Sequence, residues 1–191
     1  MTLRDFLQRV VEVLENAQVP YMLTGSLAAA YYATPRATQD VDVVVDPEGA
    51  ALHRVVDGFL SAGFYVDRNA ALDALRSRSQ FNAIDPDSGW NVDLLLRKQR
   101  PFSKTEFERR GEATLLGVKV SVASLEDVVL SKLEWATLPD SELQRRDVAQ
   151  LLERAGDRLD LEYVERWVER LELESEWQRV RTQTSPPRPS P

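Results

Sequence analysis

Six residues, Asp40-Val41-Asp42-Val43-Val44-Val45, limit what this chain can fold into more than any other stretch. Valine's branched Cβ favours extended backbone, and four valines in six residues predict a strand running from Asp40 to Asp46, closed by Pro47. Val43, Val44 and Val45 are consecutive, as in a central strand covered on both faces. Side chains alternate along a strand, so Asp40 and Asp42 share one face, about 7 Å apart. Two readings of the pair are open. It is the solvated face of a half-buried strand, or it is a pair of like charges that calls for a counter-cation such as Mg²⁺.

The residues before the strand bear on that choice. Tyr21–Leu23 reads as a short strand, Thr24-Gly25-Ser26 as a tight turn, and the Ala/Tyr-rich run to Ala33 as a helix. A glycine lets a ligand approach the backbone, and a helix N-terminus offers N–H donors to phosphate oxygens, with the Ser26 hydroxyl as one more. Arg36 and Thr38 lie on the loop that delivers the chain to Asp40, within reach of a nucleotide or simply at the surface.

Apolar periodicity organises the rest. Thr2–Gln18 reads as a helix opened by a Thr2/Asp5 capping box, and Glu48–Ala62 as a second, ended at Gly63. Phe64–Val66, Gln80–Asp85, Trp90–Leu96, Ala113–Leu116 and Val118–Val122 read as strands, with Pro86-Asp87-Ser88-Gly89 and Gly117 as turns. A helical turn or two is expected over Lys104–Arg110. Ser124 caps a helix from Leu125 to Thr137, and Ser141–Ala155 and Leu161–Val180 read as two more. The expectation is an α+β chain: a mixed sheet of about six strands flanked by helices over residues 1–122, a helical part over 123–181, and a disordered Pro-rich tail over 182–191.

Three further charged residues sit where charge is unexpected. Asp93 lies in the apolar strand Trp90–Leu96. It is either a surface position or the third carboxylate of a phosphoryl-transfer site. Lys132 and Asp147 fall on the inward stripes of consecutive helices. They either pair with each other, or Lys132 meets a triphosphate and Asp147 completes the site. Arg97, Lys98, Arg100, Lys104, Arg109 and Arg110 concentrate positive charge as a solvated face or a groove for an acceptor's phosphates.

Composition removes several classes. There are no cysteines and one histidine, so thiol catalysis, disulfides and multi-His metal sites are excluded. No apolar run is long enough to span a bilayer and no signal-peptide core opens the chain, which suits a cytoplasmic protein without a membrane partner. The net charge of −7 argues against gripping nucleic acid with the whole surface.

Taken together, Gly25-Ser26, Arg36-x-Thr38-x-Asp40-x-Asp42 and the later Asp93 resemble the nucleotidyltransferase superfamily related to DNA polymerase beta. The combination of Arg36-x-Thr38-x-Asp40-Val41-Asp42, then Ser131-Lys132-Leu133-Glu134, then Arg145-Arg146-Asp147 with Leu151-Leu152, resembles a narrower group, the AbiEii/MenT-type toxin nucleotidyltransferases and their relatives. The resemblance spans roughly residues 5–170. It implies a mixed sheet flanked by helices with a helical C-terminal part. It implies an NTP as substrate, held by Gly25, Ser26, Arg36, Thr38 and Lys132. Asp40, Asp42 and Asp93 would bind Mg²⁺, with a two-ion site in scope, and Asp147 would complete the catalytic set. The acceptor hydroxyl would belong to a tRNA 3′ end, a protein or a small molecule, and a toxin would have an antitoxin protein as partner. The alternative is a decayed site on the same fold, acting as a binding or regulatory module.

Overall fold

The computed structural model describes residues 1–33, 40–139 and 141–184. Its packing divides into two compact units: Met1–Ala28 with Arg36–Ala123, and Ala29–Pro35 with Ser124–Pro191.

The first unit begins with α1 (Leu3–Asn16) on the reciprocal cap that the sequence predicts: Asp5 N donates to Thr2 Oγ1 at 3.2 Å, and Thr2 N to Asp5 Oδ2 at 3.0 Å. Phe6, Leu7, Val10 and Leu14 are completely buried along its inner face. α3 (Ala51–Ser61) buries Leu52, Val55, Val56 and Phe59. It starts later than expected, because Glu48–Ala50 form a turn closed by Ala51 N on the Glu48 carbonyl at 2.8 Å, with no side-chain cap at Ala50. α1 and α3 are tied crosswise. Arg54 donates from Nε and Nη2 to the Ala17 carbonyl at 3.1 and 3.0 Å, and Arg9 from Nη2 to the Ala62 carbonyl at 2.5 Å. Each arginine satisfies a carbonyl at the C-terminal end of the other helix, where the last carbonyls have no intrahelical N–H donor.

Seven strands form one mixed sheet: β1 (Tyr21–Leu23), β2 (Asp40–Val45), β3 (Tyr65–Val66), β4 (Gln80–Ile84), β5 (Asn91–Leu96), β6 (Gly111–Leu115) and β7 (Val118–Val122), in the order β3-β4-β5-β2-β1-β7-β6. β2 pairs parallel with β5, and β1 parallel with β7; the other neighbours are antiparallel. The valine-rich β2 is therefore central, as its composition requires. β6 ends one residue before the predicted boundary, since Leu116 and Gly117 make a two-residue turn with positive φ at both positions, 53° and 80°. α2 (Gly25–Tyr32), α4 (Arg68–Ser77) and α5 (Pro101–Glu108) complete the elements before residue 123. α5 begins earlier than expected because Pro101 occupies its first turn, where a missing N–H costs nothing.

The second unit carries α6 (Leu125–Ala136), α7 (Glu142–Ala155), α8 (Leu161–Arg170) and α9 (Glu174–Thr184). The single helix expected over Leu161–Val180 is two. Leu173 N reaches back to the Val168 carbonyl at 2.9 Å, and Glu172 takes φ of 58°. This is the left-handed stop that glycine usually fills, so no glycine marked it in the sequence. The break turns Leu173, Trp177 and Val180 inward. α9 runs through Thr182, which the sequence assigned to a disordered tail; residues 185–191 lie outside the described residues. Among the described residues, no helix is long and apolar enough to cross a membrane.

Candidate active site

The parallel register of β2 and β5 puts Asp42 opposite Asp93, and Asp40 opposite Asn91. Neighbouring strands lie about 4.8 Å apart, so the two acids on one rung are closer in backbone than Asp40 and Asp42 along their own strand. β4 adds Asn82 opposite Asp93 from the other side. All of these alternate onto the polar face of the sheet. Val41, Val43, Val92 and Leu94, on the reverse face, are fully buried. Asp40 is exposed, and Asp42 and Asp93 are half-buried.

The turn that the sequence proposed as a phosphate cradle lies against this rung. Thr24 N donates to the Asp42 carbonyl at 3.0 Å. Gly25, the first residue of α2, has φ of 63°, and a Cβ built on it would stand 2.0 Å from Asp42 Oδ2 and 2.6 Å from Asp42 Cγ. Glycine is thus demanded twice, by conformation and by space. The Asp42 carboxylate is held over the N-terminus of α2, where the positive end of the helix dipole favours a negative charge. Ser26 is half-buried in the same first turn. Arg36 and Thr38 lie outside the described residues.

Sequence reasoning missed Asn91. Its Nδ2 donates to Asp93 Oδ1 at 2.9 Å, and its Oδ1 is buried with no hydrogen-bond partner among the described residues. Strand alternation was the available signal, since Asn91 and Asp93 are two apart on one face. Among the described residues, the side chains as they stand form no ready cluster of three or more His, Cys, Asp or Glu able to hold a metal ion. The backbone brings Asp42 and Asp93 together, but the carboxylates are not drawn onto a common point.

In the helical unit, Lys132 Nζ stands 2.7 Å from Asp147 Oδ2 and donates to Gln144 Oε1 at 3.1 Å. Lys132 is 3% exposed and Asp147 7%, so the inward stripes were read correctly and the buried ion pair forms. Leu143, four residues before Asp147 on α7, is by contrast 47% exposed. A second polar centre was not foreseen. Asp127, wholly buried, accepts from the Tyr163 hydroxyl and the Ser124 hydroxyl, each at 2.7 Å. Tyr32 is held neutral, its hydroxyl pushed up to about 12 by burial and then by neighbouring Tyr31, Glu126 and Asp127. Arg145 binds Glu176 at 2.7 Å and the Ala136 carbonyl at 3.0 Å, and the Glu176 hydrogen bond raises its pKa further.

Three of the six residues of the basic patch are engaged internally. Arg97 Nη2 stands 2.7 Å from Asp46 Oδ2, Arg100 Nε donates to Ser103 Oγ at 3.0 Å, and Arg110 donates to the Phe107 carbonyl while its guanidinium lies 4.2 Å from that ring's centre. These contacts favour the structural reading of those three arginines over the phosphate groove.

No protein-family model matches the chain, and no curated protein does. Solved structures do match. The crystal structure of ANT(2″)-Ia in complex with adenylyl-2″-tobramycin aligns with a TM-score of 0.60 at 13% identity, covering 97% of this chain and 100% of that one. The lincomycin-bound lincosamide antibiotic adenylyltransferase LnuA gives 0.55 at 11% identity, over 79% and 98%. A nucleotidyltransferase-like protein from Paracoccidioides brasiliensis gives 0.54 at 17% identity, over 91% and 91%. At such identities the likeness is one of fold: the chain shares the fold of these solved nucleotidyltransferases. The narrower likeness to AbiEii-type toxins is not reached by these matches.

Proposed function

We propose that this nucleotidyltransferase-fold chain transfers a nucleoside monophosphate from an NTP to the hydroxyl of a small acceptor molecule. The observation that carries the reading is the Asp42–Asp93 rung lying against Gly25 at the start of α2. A carboxylate pair on a rigid sheet and a helix N-terminus stripped of its Cβ are what bringing a metal-bound triphosphate close to backbone requires.

The donors on this face are all oxygen, the class that a hard divalent cation takes, and the buried Asn91 carbonyl is a further acceptor beside them. Asp42 and Asp93, with Asp40 from the same face, would hold Mg²⁺. When bound, the cation would neutralise charge on the phosphate oxygens and the leaving pyrophosphate. The N–H groups at the start of α2 and the Ser26 hydroxyl receive phosphate oxygens. Asp93 takes the proton of the acceptor hydroxyl as its oxygen bonds to the α-phosphorus. The bond from that phosphorus to pyrophosphate breaks, and pyrophosphate departs. Within the helical unit, Lys132 and Asp147 supply a charged, buried hydrogen-bonding pair.

A small acceptor is favoured over tRNA by the internal engagement of Arg97, Arg100 and Arg110 and by the net charge of −7. Of the fold's solved examples, one holds an adenylylated tobramycin and another lincomycin. The test is transfer from each NTP labelled at the α-phosphate, with Mg²⁺, to an aminoglycoside, a lincosamide and deacylated tRNA. Label on an antibiotic that vanishes in Asp42→Asn supports the reading. Label on tRNA alone overturns the choice of acceptor, and equal labelling by Asp42→Asn overturns the site.

A further inference from the structure

We infer that Asn91 is a positioning residue, which fixes the Asp93 carboxylate for a hydrated divalent cation; the inference rests on the reading of the rung given above. A carboxylate can only accept hydrogen bonds, so the Asn91 group facing Asp93 at 2.9 Å must be the amide nitrogen. That bond engages one lone pair of Asp93 Oδ1 and sets which way the second oxygen faces, toward the cation and the acceptor hydroxyl. An aspartate on a strand otherwise rotates about two torsions. With one oxygen held by a neighbour on its own strand and face, the carboxylate plane is set before a ligand arrives.

The same geometry leaves the Asn91 carbonyl oxygen buried and without a partner among the described residues. A buried acceptor left unmade costs about 1–3 kcal/mol, and native structures rarely tolerate it without a reason. Asn91 is opposite Asp40 in the β2–β5 register, so its orphan oxygen belongs to the rung next to Asp42 and Asp93. A group that accepts a hydrogen bond there complements a ligand that brings donors. A hydrated cation does so through its own waters, whereas a bare phosphate oxygen does not. Both ends of one side chain then serve the same ligand: the nitrogen orders a first ligand, and the oxygen receives the hydration shell.

Asn82 supplies the contrast. It faces Asp93 from β4 in register and on the same face, yet it is exposed. Position beside Asp93 is thus not what singles out Asn91; the hydrogen bond and the buried orphan are.

The experiment is titration of the full chain with Mn²⁺, read from the spin-resonance signal of the free aquo ion, with thermal unfolding measured beside it. Asn91→Leu and Asn91→Ala are expected to weaken Mn²⁺ binding about 10–100-fold. Asn91→Gln, which keeps an amide within reach, restores most of the affinity, and Asn82→Ala binds as the parent does. Without Mn²⁺, Asn91→Leu melts at or above the parent temperature, since it removes the buried orphan along with the donor. Its melting temperature rises less on adding Mn²⁺. Should Asn91→Leu fail to fold, Asn91→Ala decides alone. Parent-like Mn²⁺ affinity in the Asn91 variants, with binding lost in Asp93→Asn, overturns the role of Asn91 and leaves the site intact. A parent protein that takes up no Mn²⁺ overturns both.

Discussion

Asp42 Oδ2 occupies the space where any side chain on Gly25 would begin: the ideal Cβ position is 2.0 Å away. Gly25→Ala must move the start of α2 or expel the carboxylate, and also hold alanine at positive φ. It is expected to destabilise the fold by about 1–3 kcal/mol and to lower nucleotidyl transfer by at least about 10²-fold, because small displacements at a reacting centre are costly. Asn tolerates the backbone conformation but not the collision, so Gly25→Asn should melt closer to the parent and remain as inactive. Thermal melts and transfer rates on both variants check this, and an active Gly25→Asn would show that Asp42 need not stay where it is.

Two acids on one rung repel unless a cation or proton separates them. Asp42→Asn and Asp93→Asn should each abolish transfer to within about a hundredth of the parent rate while leaving the metal-free melting temperature unchanged or higher. Asp73→Asn, at an exposed pair with Arg76, is the control and should not alter transfer. A marked loss of metal-free stability in the rung variants would instead mark these acids as structural.

Lys132 and Asp147 are buried partners, so removing one strands the other. Lys132→Met alone should cost about 3–5 kcal/mol, and Lys132→Met with Asp147→Leu should recover most of it. Kinetics on the refolded double variant then separate the two readings of the pair. A KM for NTP raised well above the parent's supports a nucleotide contact by Lys132, while a parental KM leaves the pair to hold α6 to α7.

Asp85, 2% exposed, gives the fold an acid limit. Burial pushes its carboxyl up, but the Ser88 hydroxyl, Arg9 at 2.9 Å and Ser88 N at 2.9 Å outweigh that and hold it below its ordinary 3.8. A depressed folded value means the stabilisation is fully present above the ordinary value and is lost as pH falls through the folded one. Asp85→Asn should therefore melt below the parent at neutral pH, and the gap should close as pH drops below 3.8. A gap constant across that range would contradict the assignment.

Local signals were legible wherever one residue type does one job. The Thr2/Asp5 box, the valine run of β2 and the Ser124 cap all depend on neighbours in sequence, and all stand as read. What could not be read was pairing at a distance. Nothing in the chain announces that Asp93 falls opposite Asp42 rather than opposite Asp40, because the register of two parallel strands is set by the whole sheet. The Arg97–Asp46 pair, 51 residues apart, was hidden for the same reason, so a structural arginine read as a candidate for binding phosphate. The stop at Glu172 was hidden because a non-glycine residue takes the left-handed conformation, which propensity does not anticipate.

The crosswise arginines of α1 and α3 carry a consequence for how this molecule loosens. Fraying at Ala17 releases Arg54 of α3 from the end of α1, and fraying at Ala62 releases Arg9 of α1 from the end of α3, and with it one of the groups that keeps Asp85 ionised. The two helix ends and the β4–β5 turn are therefore coupled into one opening event rather than three. Amide exchange at Ala17, Ala62 and Ser88 should slow or quicken together, so that a single arginine substitution on α1 or α3 is felt at the hairpin whose second strand carries Asn91 and Asp93.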